Sequence, residues 1–504
     1  MISHRPYWAP CPPTIIREKG RFMSPEHYLL DWQTSQTHSE TMYPLLSQLY
    51  RQKGVEIQLF GRQLINASTI DIIKAHRVAR RYTGGTLAPS QTLPLIEVMA
   101  ELDLAPSKID IGQLAWTYWQ SHDNANGISD FIHNQLSHLM GTGNGVDPKD
   151  VVLYGFGRIG RLLARLLVEK SGPGYPLRLR AIVVRGGKEG DLEKRASLLR
   201  RDSVHGPFNG SITVDEARNA VIANGNFIQV IYANNPTEVD YTQYGINNAL
   251  VVDNTGMWRD EEGLSQHLDS KGSQKVLLTA PGKGSLKNVV FGVNHDVIGE
   301  EDTIISAASC TTNAITPVLK AMHDKFGIEN GHIETVHSFT NDQNLIDNYH
   351  NGDRRGRSAS LNMVLTSTGA ASAVAKALPD LKGKLTGNSV RVPTPNVSMA
   401  IANLNLNNTT DKDEINAYLQ DVALYSPLSG QIDFTQSTEL VSSDLIGSRF
   451  AGVVDSQATI AEDNRCVLYI WYDNEFGYSC QVVHCMEKMM GVRYPMVPEP
   501  EALS

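Results

Sequence analysis

The sequence is short of cysteine, of net positive charge and of long apolar runs, and each shortage excludes a class of protein. Its 504 residues include five cysteines, and no two are spaced CxxC, which argues against a disulfide framework and a structural zinc site. The formal net charge of -9 argues against nucleic acid as a partner. No apolar run approaches the roughly 18 residues of a membrane-spanning helix. The opening MISHRPYWAPCPPTIIREKG has no apolar signal-peptide core, so we expect a cytoplasmic protein with reduced thiols.

Residues 1–146 show helical periodicity but no candidate chemistry. Apolar residues recur at helical spacing in YPLLSQLYRQ, TIDIIKAHRVARR, LPLIEVMAELDL and SDFIHNQLSHLM. Ser24 and Pro25 have the residue types of an N-cap and a first helical position, and Met23 just before them is an alternative start of the native chain. The length predicts two or three domains in all. The first is expected to be an all-α N-terminal extension, followed by the linker GTGNGVDPKD at 141–150.

A strand, a glycine-rich turn and a helix follow in VVLYGFGRIGRLLARLLVEK. Gly155, Gly157 and Gly160 form the pattern GxGxxG, in which the first permits a tight turn, the second lets the backbone approach a pyrophosphate and the third lets the helix pack on the strand. The start of the helix then offers N–H groups to a phosphate. This order favours a dinucleotide-binding site. A glycine turn in some other α/β unit is the alternative.

Short apolar segments closed by turn residues continue the same pattern. LRAIVV, FIQVIYA, NALVVDNTG and KVLLTAPG read as strands and predict an α/β Rossmann-type domain with a doubly wound sheet. Ligands of such sheets bind beyond the carboxyl ends of the strands. The terminal DNTG and TAPG are therefore candidate cofactor loops.

One cysteine, Cys310, stands between an apolar run and a Thr-Thr-Asn turn in ISAASCTTNAITPVLK. Burial is one interpretation, since unpaired cysteines are often packed inside, and a nucleophilic thiolate is the other. Helix rules alone start the next helix at Pro317 with Thr316 as its cap, because proline removes a hydrogen bond from a helix interior. Support for the thiolate from a helix dipole is therefore limited. The candidate base is His337, at the end of the apolar HIETVHS, with an ordinary surface histidine as the alternative.

Turns rich in arginine and hydroxyl groups follow, namely DRRGRS, TSTGAA and RVPTPNVS. Guanidinium groups and Ser/Thr hydroxyls suit anionic oxygens. For any one of these turns, a basic loop paired with surface acids is the alternative.

Together these segments resemble the glyceraldehyde-3-phosphate dehydrogenase family. SCTTN, TVHSFTNDQ, RRGRSAS, TSTGAA, KGKLTGNSVRVPTPNVS and WYDNEFGYS are similar to the signature segments of that family and stand in its order, at about its spacing. The resemblance covers about residues 148–495, whereas 1–146 have no counterpart in an ordinary member. It implies a Rossmann domain at 147–309 that residues 474–504 complete, and an α+β catalytic domain at 310–473.

The resemblance also implies a role for each matching residue. Cys310 is expected to attack an aldehyde with His337 as its base, giving a thioester that inorganic phosphate converts into an acyl phosphate. The substrate's phosphate is expected at Thr340 and Arg391. The attacking phosphate is expected at Ser309, Thr311, Thr368 and Gly369, with Arg355 close by. The cofactor is expected at Gly155, Phe156, Gly157, Arg158, Ile159, Gly160, Thr255, Gly256, Thr279 and Asn474. No metal is implied, and the loop from about Thr340 to Leu361 is expected to face a neighbouring subunit of a homotetramer.

The sequence departs from the NAD-using pattern after the second strand of the Rossmann domain. Where those members carry an acidic residue, LRAIVVRGGKEGDLEKR has Arg185. Arginine there can accommodate the 2′-phosphate of NADP, with Lys188 and Lys194 as helpers, so we expect NADP to be accepted and NAD is not excluded. The alternative is that Arg185 faces solvent and Asp191 or Glu189 binds the ribose.

The expected function is phosphorylating oxidation of D-glyceraldehyde 3-phosphate with NAD or NADP. One alternative is an erythrose-4-phosphate dehydrogenase, which shares the cysteine and histidine but releases its acid through water. The other is an enzyme scaffold whose extension has a regulatory or binding role. The retained residues for an attacking phosphate favour the first function, and the expected partners are small molecules and further copies of the chain, without nucleic acid or membrane.

Overall fold

The computed structural model describes residues 24–120, 127–141 and 146–501. The choice between Met1 and Met23 as the native start lies outside these residues, as does part of the predicted linker. The chain divides into two compact units. One comprises Met1–Val146, Gly172–Gly174 and Tyr494–Pro500, and the other comprises Asp147–Ser171, Tyr175–Arg493 and Glu501–Ser504.

The first unit is rich in helices, as the periodicity of residues 1–146 predicts. Its long first helix begins at Pro25, directly after Ser24, and ends at Lys53. Gly54 follows it in the left-handed conformation common after a helix. Ser68 and Asp71 form a reciprocal capping box at the start of the next helix. Its elements in chain order are α1 (Pro25–Lys53), β1 (Val55–Leu59), β2 (Arg62–Gln63), α2 (Thr69–Thr83), α3 (Pro89–Glu101), β3 (Ser107–Asp110), α4 (Ile111–Gln120) and α5 (Gly127–Leu136).

The second unit begins with the nucleotide-binding type of sheet that the glycine pattern predicts. Its elements are β4 (Lys149–Tyr154), α6 (Arg158–Lys170), β5 (Leu177–Val184), α7 (Asp191–Arg200), β6 (Ile212–Asp215), β7 (Ala220–Ala223), β8 (Asn226–Tyr232), β9 (Ala249–Asp253), α8 (Glu261–Ser265), β10 (Ser273–Leu278) and β11 (Ile304–Ser306). The strand order is β11-β10-β9-β4-β5-β8-β7-β6, with parallel pairing from β11 to β8. The chain winds outward in both directions from β4, so the loops after β4 and β9 meet at the switch point where such sheets bind ligands.

A second, mixed sheet follows Cys310. Its elements are α9 (Cys310–Phe326), β12 (Ile328–Ser338), β13 (Val364–Thr366), α10 (Ala370–Ala377), β14 (Leu385–Val392), β15 (Ser398–Leu406), α11 (Lys412–Tyr425), β16 (Ile432–Thr435), β17 (Gly452–Asp455), β18 (Ile460–Glu462), β19 (Arg465–Tyr472) and α12 (Phe476–Met489). The order is β13-β14-β12-β15-β19-β17-β16, with β18 beside β19. Helices α9, α10 and α11 cover this sheet with a shared apolar core. None of the helices in the described parts of the chain is long and apolar enough to cross a membrane.

The prediction of an all-α extension is too narrow, because the first unit also contains a small sheet. Its order is β2-β1-β3-β20, where β20 (Met496–Val497) comes from the other end of the chain and pairs in parallel with β3. Residues 494–500 therefore belong to this unit and do not complete the Rossmann domain. The strands are short, and one partner is remote in sequence, so no local alternation of polar and apolar residues could indicate them.

Candidate active site

Cys310 is the first residue of α9, and the turn before it is fixed by local hydrogen bonds. Ser309 is the N-cap, and its Oγ accepts a hydrogen bond from the Thr312 N–H at 3.1 Å. The side-chain amide of Asn313 donates to the carbonyl oxygens of Ala307 and Ser309, at 2.8 and 3.0 Å. The Thr-Thr-Asn turn thus orders the start of the helix that carries the cysteine.

The prediction that this helix starts at Pro317 is wrong. Pro317 lies inside α9 and is buried, and the preceding Thr316 hydroxyl donates to the Thr312 carbonyl at 2.6 Å. Buried apolar neighbours along the helix, such as Ile315 and Val318, stabilise it enough to offset the hydrogen bond that proline cannot make. Cys310 therefore lies at a helix N-terminus, where partial positive charge favours a thiolate.

Two tyrosines that the sequence analysis did not single out hold the same turn from a distance in sequence. The Tyr472 and Thr311 hydroxyls lie 2.9 Å apart, and the Tyr478 hydroxyl donates to the Ala308 carbonyl oxygen at 2.9 Å. Ala308 has a φ of 55°, a conformation uncommon for a residue with a Cβ atom. Both tyrosines belong to the segment WYDNEFGYS. Nothing local in that segment indicates that their hydroxyl groups contact Thr311 and Ala308, on either side of Cys310.

His337, at the end of β12, brings its imidazole to the thiol. Its Nε2 lies 3.6 Å from Cys310 Sγ, while its Nδ1 lies 2.7 Å from the Ser338 carbonyl oxygen and 2.9 Å from Nη1 of Arg391. These contacts fit two tautomers, because a guanidinium only donates. With hydrogen on Nδ1, donated to the carbonyl, Nε2 can accept the thiol proton. With hydrogen on Nε2, the ring donates to sulfur and can stabilise a thiolate.

The surroundings of both reactive groups favour their neutral forms at neutral pH. Burial, with a smaller contribution from the Arg391 charge, lowers the pKa of His337 to about 4. Burial also raises the pKa of Cys310, although Arg391 and hydrogen bonds from Thr311 oppose this. A bound anion that balances the charge of Arg391 would raise the pKa of His337 towards its ordinary value and make it a stronger base.

Arg391 provides a cation beside this pair. It stands opposite His337 in the parallel pairing of β12 and β14, and its Nη1 lies 3.3 Å from Thr340 Oγ1. Its Nε is buried without a hydrogen-bond partner, and in the described chain it forms no ion pair with a carboxylate. A part-buried guanidinium with no ion-pair partner and an unused donor can bind an anion.

Arg355 lies next to this cation but has partners. Its Nη1 donates to Asp342 Oδ2 at 3.0 Å, and its Nη2 and Nε donate to Thr366 Oγ1 at 2.8 and 3.0 Å. Asp342 also accepts a short hydrogen bond from Thr340. The structure therefore brings Thr340, Arg355 and Arg391 into one cluster, in which an entering anion would compete with Asp342.

The remaining residues expected at the attacking phosphate differ in how accessible they are. The hydroxyls of Ser309 and Thr311 already form the hydrogen bonds described above. Thr368 Oγ1 accepts from the Ala370 N–H at 3.1 Å, in the turn before α10. Gly369 is exposed, and a Cβ there would meet only Ser372 Oγ, at 3.9 Å, which leaves backbone open to a ligand.

Asn474 is held by two serines, one of which is adjacent to His337 in the sequence. Its Oδ1 accepts hydrogen bonds from the hydroxyls of Ser338 and Ser398, at 2.8 and 2.9 Å. Because Ser338 directly follows His337, the amide of Asn474 is fixed relative to the thiol–imidazole pair. Two donors on Oδ1 leave the NH₂ group to face away from them.

The glycine turn fits a dinucleotide phosphate. Gly155 has a φ of 92° and packs against Thr255, where a Cβ would come within 3.0 Å of the Thr255 methyl group. A Cβ at Gly160 would lie 2.4 Å from the Gly155 carbonyl oxygen, whereas a Cβ at Gly157 would meet nothing within 4 Å. The two outer glycines thus permit close packing, and open space remains at the middle one, beside the N–H groups that begin α6. Phe156 is buried and Ile159 is half-buried.

The loop after β9 closes the other side of this turn. Asp253 Oδ1 accepts from both the N–H and the hydroxyl of Thr255, each at 2.7 Å. Thr279, after β10, donates through its N–H and its hydroxyl to the Asp253 carbonyl oxygen, both at 3.0 Å. Gly256 has a φ of 65°. The predicted cofactor residues therefore meet at the carboxyl ends of β4, β9 and β10.

Arg185 is exposed and has no ion pair among the described residues, whereas Arg158 is held by carboxylates. Arg185 is exposed at the end of β5, where its Nη2 lies 2.9 Å from Met257 Sδ, and it forms no ion pair within the described residues. Asp191, the alternative ribose ligand, instead pairs with Arg195 at 2.5 Å. The Arg158 side chain instead forms ion pairs with Asp202 and Glu475. Only its backbone N–H is therefore available to a phosphate.

Such a Rossmann domain, with a thiol and an imidazole next to an unpaired arginine, defines a dinucleotide-binding protein with a cysteine-based active site. No group of three or more His, Cys, Asp or Glu side chains that could hold a metal ion occurs in the part of the chain that the structure describes. The NAD-binding domain of glyceraldehyde 3-phosphate dehydrogenase matches residues 149–261, and its C-terminal domain matches residues 309–474. The chain belongs to the glyceraldehyde-3-phosphate dehydrogenase family.

Relatives of this chain differ in how much of it they match. A glyceraldehyde-3-phosphate dehydrogenase-like protein of Pseudomonas aeruginosa (strain UCBPP-PA14) is 62% identical over 461 residues, which are 91% of this chain and 100% of the relative. Glyceraldehyde-3-phosphate dehydrogenase of Zymomonas mobilis is 40% identical over 341 residues, 67% of this chain and 98% of the relative. Glyceraldehyde-3-phosphate dehydrogenase 2 of Trichormus variabilis is 41% identical over 340 residues, 67% of this chain and 97% of the relative. Because the first match is too long to fit after residue 146, that relative shares much of the extension.

Proposed function

We propose that this protein catalyses the phosphorylating oxidation of D-glyceraldehyde 3-phosphate to 1,3-bisphosphoglycerate, with NAD or NADP as the oxidant. The observation that carries the proposal is the site around one sulfur atom. Cys310 Sγ lies 3.6 Å from His337 Nε2, and the same imidazole lies 2.9 Å from the guanidinium of Arg391, which has no carboxylate partner among the described residues. A nucleophile (Cys310), its base (His337) and an anion-binding group (Arg391) are thus close together, with the imidazole in contact with both of the others.

In the first step the Cys310 thiol adds to the aldehyde carbon. His337 Nε2 takes the thiol proton as the C–S bond forms, and the proton passes to the aldehyde oxygen to give a thiohemiacetal. The amide N–H groups of Cys310 and Thr311, the first two of α9, have no acceptor within the helix, so they can donate to the developing oxyanion. The substrate's phosphate would bind Arg391 and Thr340, which fixes the aldehyde over the sulfur.

In the second step the thiohemiacetal becomes a thioester. His337 removes the hydroxyl proton while the same carbon loses a hydride, so the C–O single bond becomes a carbonyl. A bound nicotinamide dinucleotide supplies the acceptor for that hydride. Asn474, held by Ser338 and Ser398, would orient the carboxamide, and the Gly157 turn would hold the pyrophosphate.

In the third step inorganic phosphate attacks the thioester carbonyl. The acyl phosphate leaves, and Cys310 departs as a thiolate that regains its proton from His337. Arg355, Thr368 and Gly369 would hold the attacking anion together with the hydroxyls of Ser309 and Thr311. Two anions on either side of one sulfur need two sets of donors, which the cluster of arginines and hydroxyls supplies.

Exposed residues support two further parts of the proposal, the choice of cofactor and the association of subunits. Arg185, unpaired and exposed after β5, supports use of NADP as well as NAD. Large apolar side chains are exposed on the loop predicted to face a neighbouring subunit, and these support a homotetramer. They are Leu345, Ile346, Tyr349 and Leu361, each at least 73% exposed. We place the enzyme in the cytoplasm on the basis of its thiol chemistry.

Steady-state kinetics with both cofactors, with and without inorganic phosphate, test the proposed function. We expect reduction of the cofactor to depend on D-glyceraldehyde 3-phosphate and to stop after one turnover when phosphate is omitted. Arsenate in place of phosphate should restore turnover. Continued turnover without either anion, with erythrose 4-phosphate as the better substrate, would overturn the proposal in favour of a hydrolytic dehydrogenase.

A further inference from the structure

Arg158, at the start of α6, is bound by charged side chains from separate parts of the chain. Its Nε donates to both oxygens of the Glu475 carboxylate, at 3.1 and 3.0 Å, and its Nη2 and Nη1 make shorter contacts with Glu475 and Asp202. Nη2 also lies 3.0 Å from His205 Nδ1. The guanidinium thus contacts three side chains, and it is only 20% exposed.

His205 extends these contacts to a second acid. Because a guanidinium only donates, Nδ1 of His205 is the acceptor, so Nε2 carries the hydrogen and donates it to Asp473 Oδ2 at 2.9 Å. The imidazole is 4% exposed and the Asp473 carboxylate is fully buried. Asp473 receives further hydrogen bonds from the side chain of Asn396 and from the backbone N–H groups of Gly447, Glu475 and Phe476. These contacts form one cluster, the Arg158 network, which consists of Arg158, Asp202, His205, Asp473 and Glu475.

The network joins two places that the proposed cofactor must contact at once. Arg158 directly follows Gly157, the glycine with open space at the phosphate turn. Asp473 and Glu475 flank Asn474, the residue expected at the nicotinamide. One charged cluster therefore connects the two ends of the expected dinucleotide site, although Arg158 and Glu475 are 317 positions apart.

We propose that His205 and Glu475 are positioning residues, which hold the start of α6 and the Asn474 backbone at the separation that a bound dinucleotide requires. This inference rests on the proposed function. Neither residue touches the reacting atoms. Each acts through a neighbour: Glu475 through Arg158 and His205 through both Arg158 and Asp473. The cluster is mostly buried, so its hydrogen bonds are less weakened by solvent than those of surface pairs.

Paired substitutions separate positioning from a general effect on folding. Glu475→Gln removes the charge that Arg158 binds, and Glu462→Gln makes the same change in an exposed pair with Arg465, 3.9 Å away. His205→Phe keeps a ring beside Phe476, whose centroid is 5.7 Å away, but removes both hydrogen bonds. His205→Gln keeps one donor and one acceptor.

The dissociation constant of the full-length protein for NADP, measured by calorimetry without substrate, is the main readout. We expect Glu475→Gln and His205→Phe to raise it about tenfold, the factor that corresponds to one hydrogen bond with a charged group, and to lower kcat as well. His205→Gln should lie between His205→Phe and the wild type, and Glu462→Gln should match the wild type. Alkylation of Cys310 without cofactor should be unchanged in all of them.

Folded Glu475→Gln and His205→Phe proteins with unchanged NADP affinity and kcat would overturn the inference. The inference would also be overturned if the loss of NADP binding in each variant equalled its fraction of unfolded protein. Calorimetric unfolding of the same samples measures that fraction. Should His205→Phe fail to fold, His205→Gln with wild-type affinity would still count against it. Failure of the wild type to oxidise D-glyceraldehyde 3-phosphate would reject the proposed function, while the NADP affinities would still test the network.

Discussion

The thiol of Cys310 lies 3.6 Å from Nε2 of His337, although the residues are 27 positions apart. The N-terminus of α9 supplies one and the end of β12 the other, and Arg391 borders the imidazole from the next strand. The arrangement depends on the pairing of β12 with β14 and on α9, which packs against the same sheet.

Replacing the base should slow the chemistry without affecting the cofactor. His337→Asn is expected to lower kcat by roughly 10²- to 10⁴-fold, the usual contribution of general acid–base catalysis, and to leave the affinity for the dinucleotide unchanged. Steady-state kinetics and calorimetry check the two parts. His332→Asn, on the same strand and with a side chain that is 43% exposed, is the matched control and should behave as the wild type.

The resting thiol should be protonated at neutral pH. Burial raises the pKa of Cys310, and His337 stays neutral above its lowered pKa of about 4, so a thiolate–imidazolium pair is not favoured before ligands bind. The rate of Cys310 alkylation by iodoacetamide in ligand-free protein is therefore expected to rise through pH 9.0, the ordinary pKa of a cysteine. A plateau already reached near neutral pH would contradict this.

Arg391 should recognise the phosphate of the substrate and not its aldehyde. Arg391→Leu is expected to raise KM for D-glyceraldehyde 3-phosphate by roughly ten- to a hundredfold, the value of a charged hydrogen bond, and to change KM for unphosphorylated glyceraldehyde little. Kinetics with the two aldehydes measure the difference. Arg465→Leu, at an exposed position, controls for loss of an arginine. Equal losses for both aldehydes would assign Arg391 a structural role.

Arg185 should set the preference between the two cofactors. Arg185→Asp is expected to lower kcat/KM for NADP relative to NAD by roughly ten- to a hundredfold, since it removes a guanidinium that can bind the 2′-phosphate. The value for NAD serves as an internal control in each protein. A wild-type protein with strong preference for NAD, or a ratio that the substitution leaves unchanged, would mean that Arg185 only faces solvent.

The first unit should lose stability in acid through His76. Its ring is buried, with Nδ1 2.8 Å from the Ile72 carbonyl oxygen and Nε2 2.7 Å from Thr92 Oγ1, and burial lowers its pKa to about 4. The unfolded chain binds the proton near pH 6.5, so stability is fully present above that pH and falls as the pH drops to about 4. The loss is about 3 kcal/mol at most. Unfolding by urea from pH 7 to pH 4, compared with His76→Gln, should show a shallower pH dependence in the variant.

Much of the fold could be predicted because its indications are local. The GxGxxG turn and the strands around it follow one another in the chain, and their apolar patterns are confirmed by the pairing of β4, β5, β8, β9 and β10. Each element can be identified from a few neighbouring residues.

The features that could not be predicted depend on residues far apart in sequence. Pro317 was expected to begin a helix, because local rules cannot weigh the burial that keeps α9 intact around it. β20 joins the sheet of the first unit from the other end of the chain. The contacts of Tyr472 with Thr311 and of Glu475 with Arg158 join residues 161 and 317 positions apart. No spacing in the sequence shows such contacts.

Intact mass spectrometry tests the central claim most directly. The protein is mixed with D-glyceraldehyde 3-phosphate and oxidised cofactor in the absence of inorganic phosphate. We expect the mass of one phosphoglyceryl group to be added, to map to Cys310, to disappear when phosphate is supplied and to be absent from Cys310→Ser. Turnover by the wild type without any such adduct, or turnover by Cys310→Ser at the wild-type rate, would contradict the account.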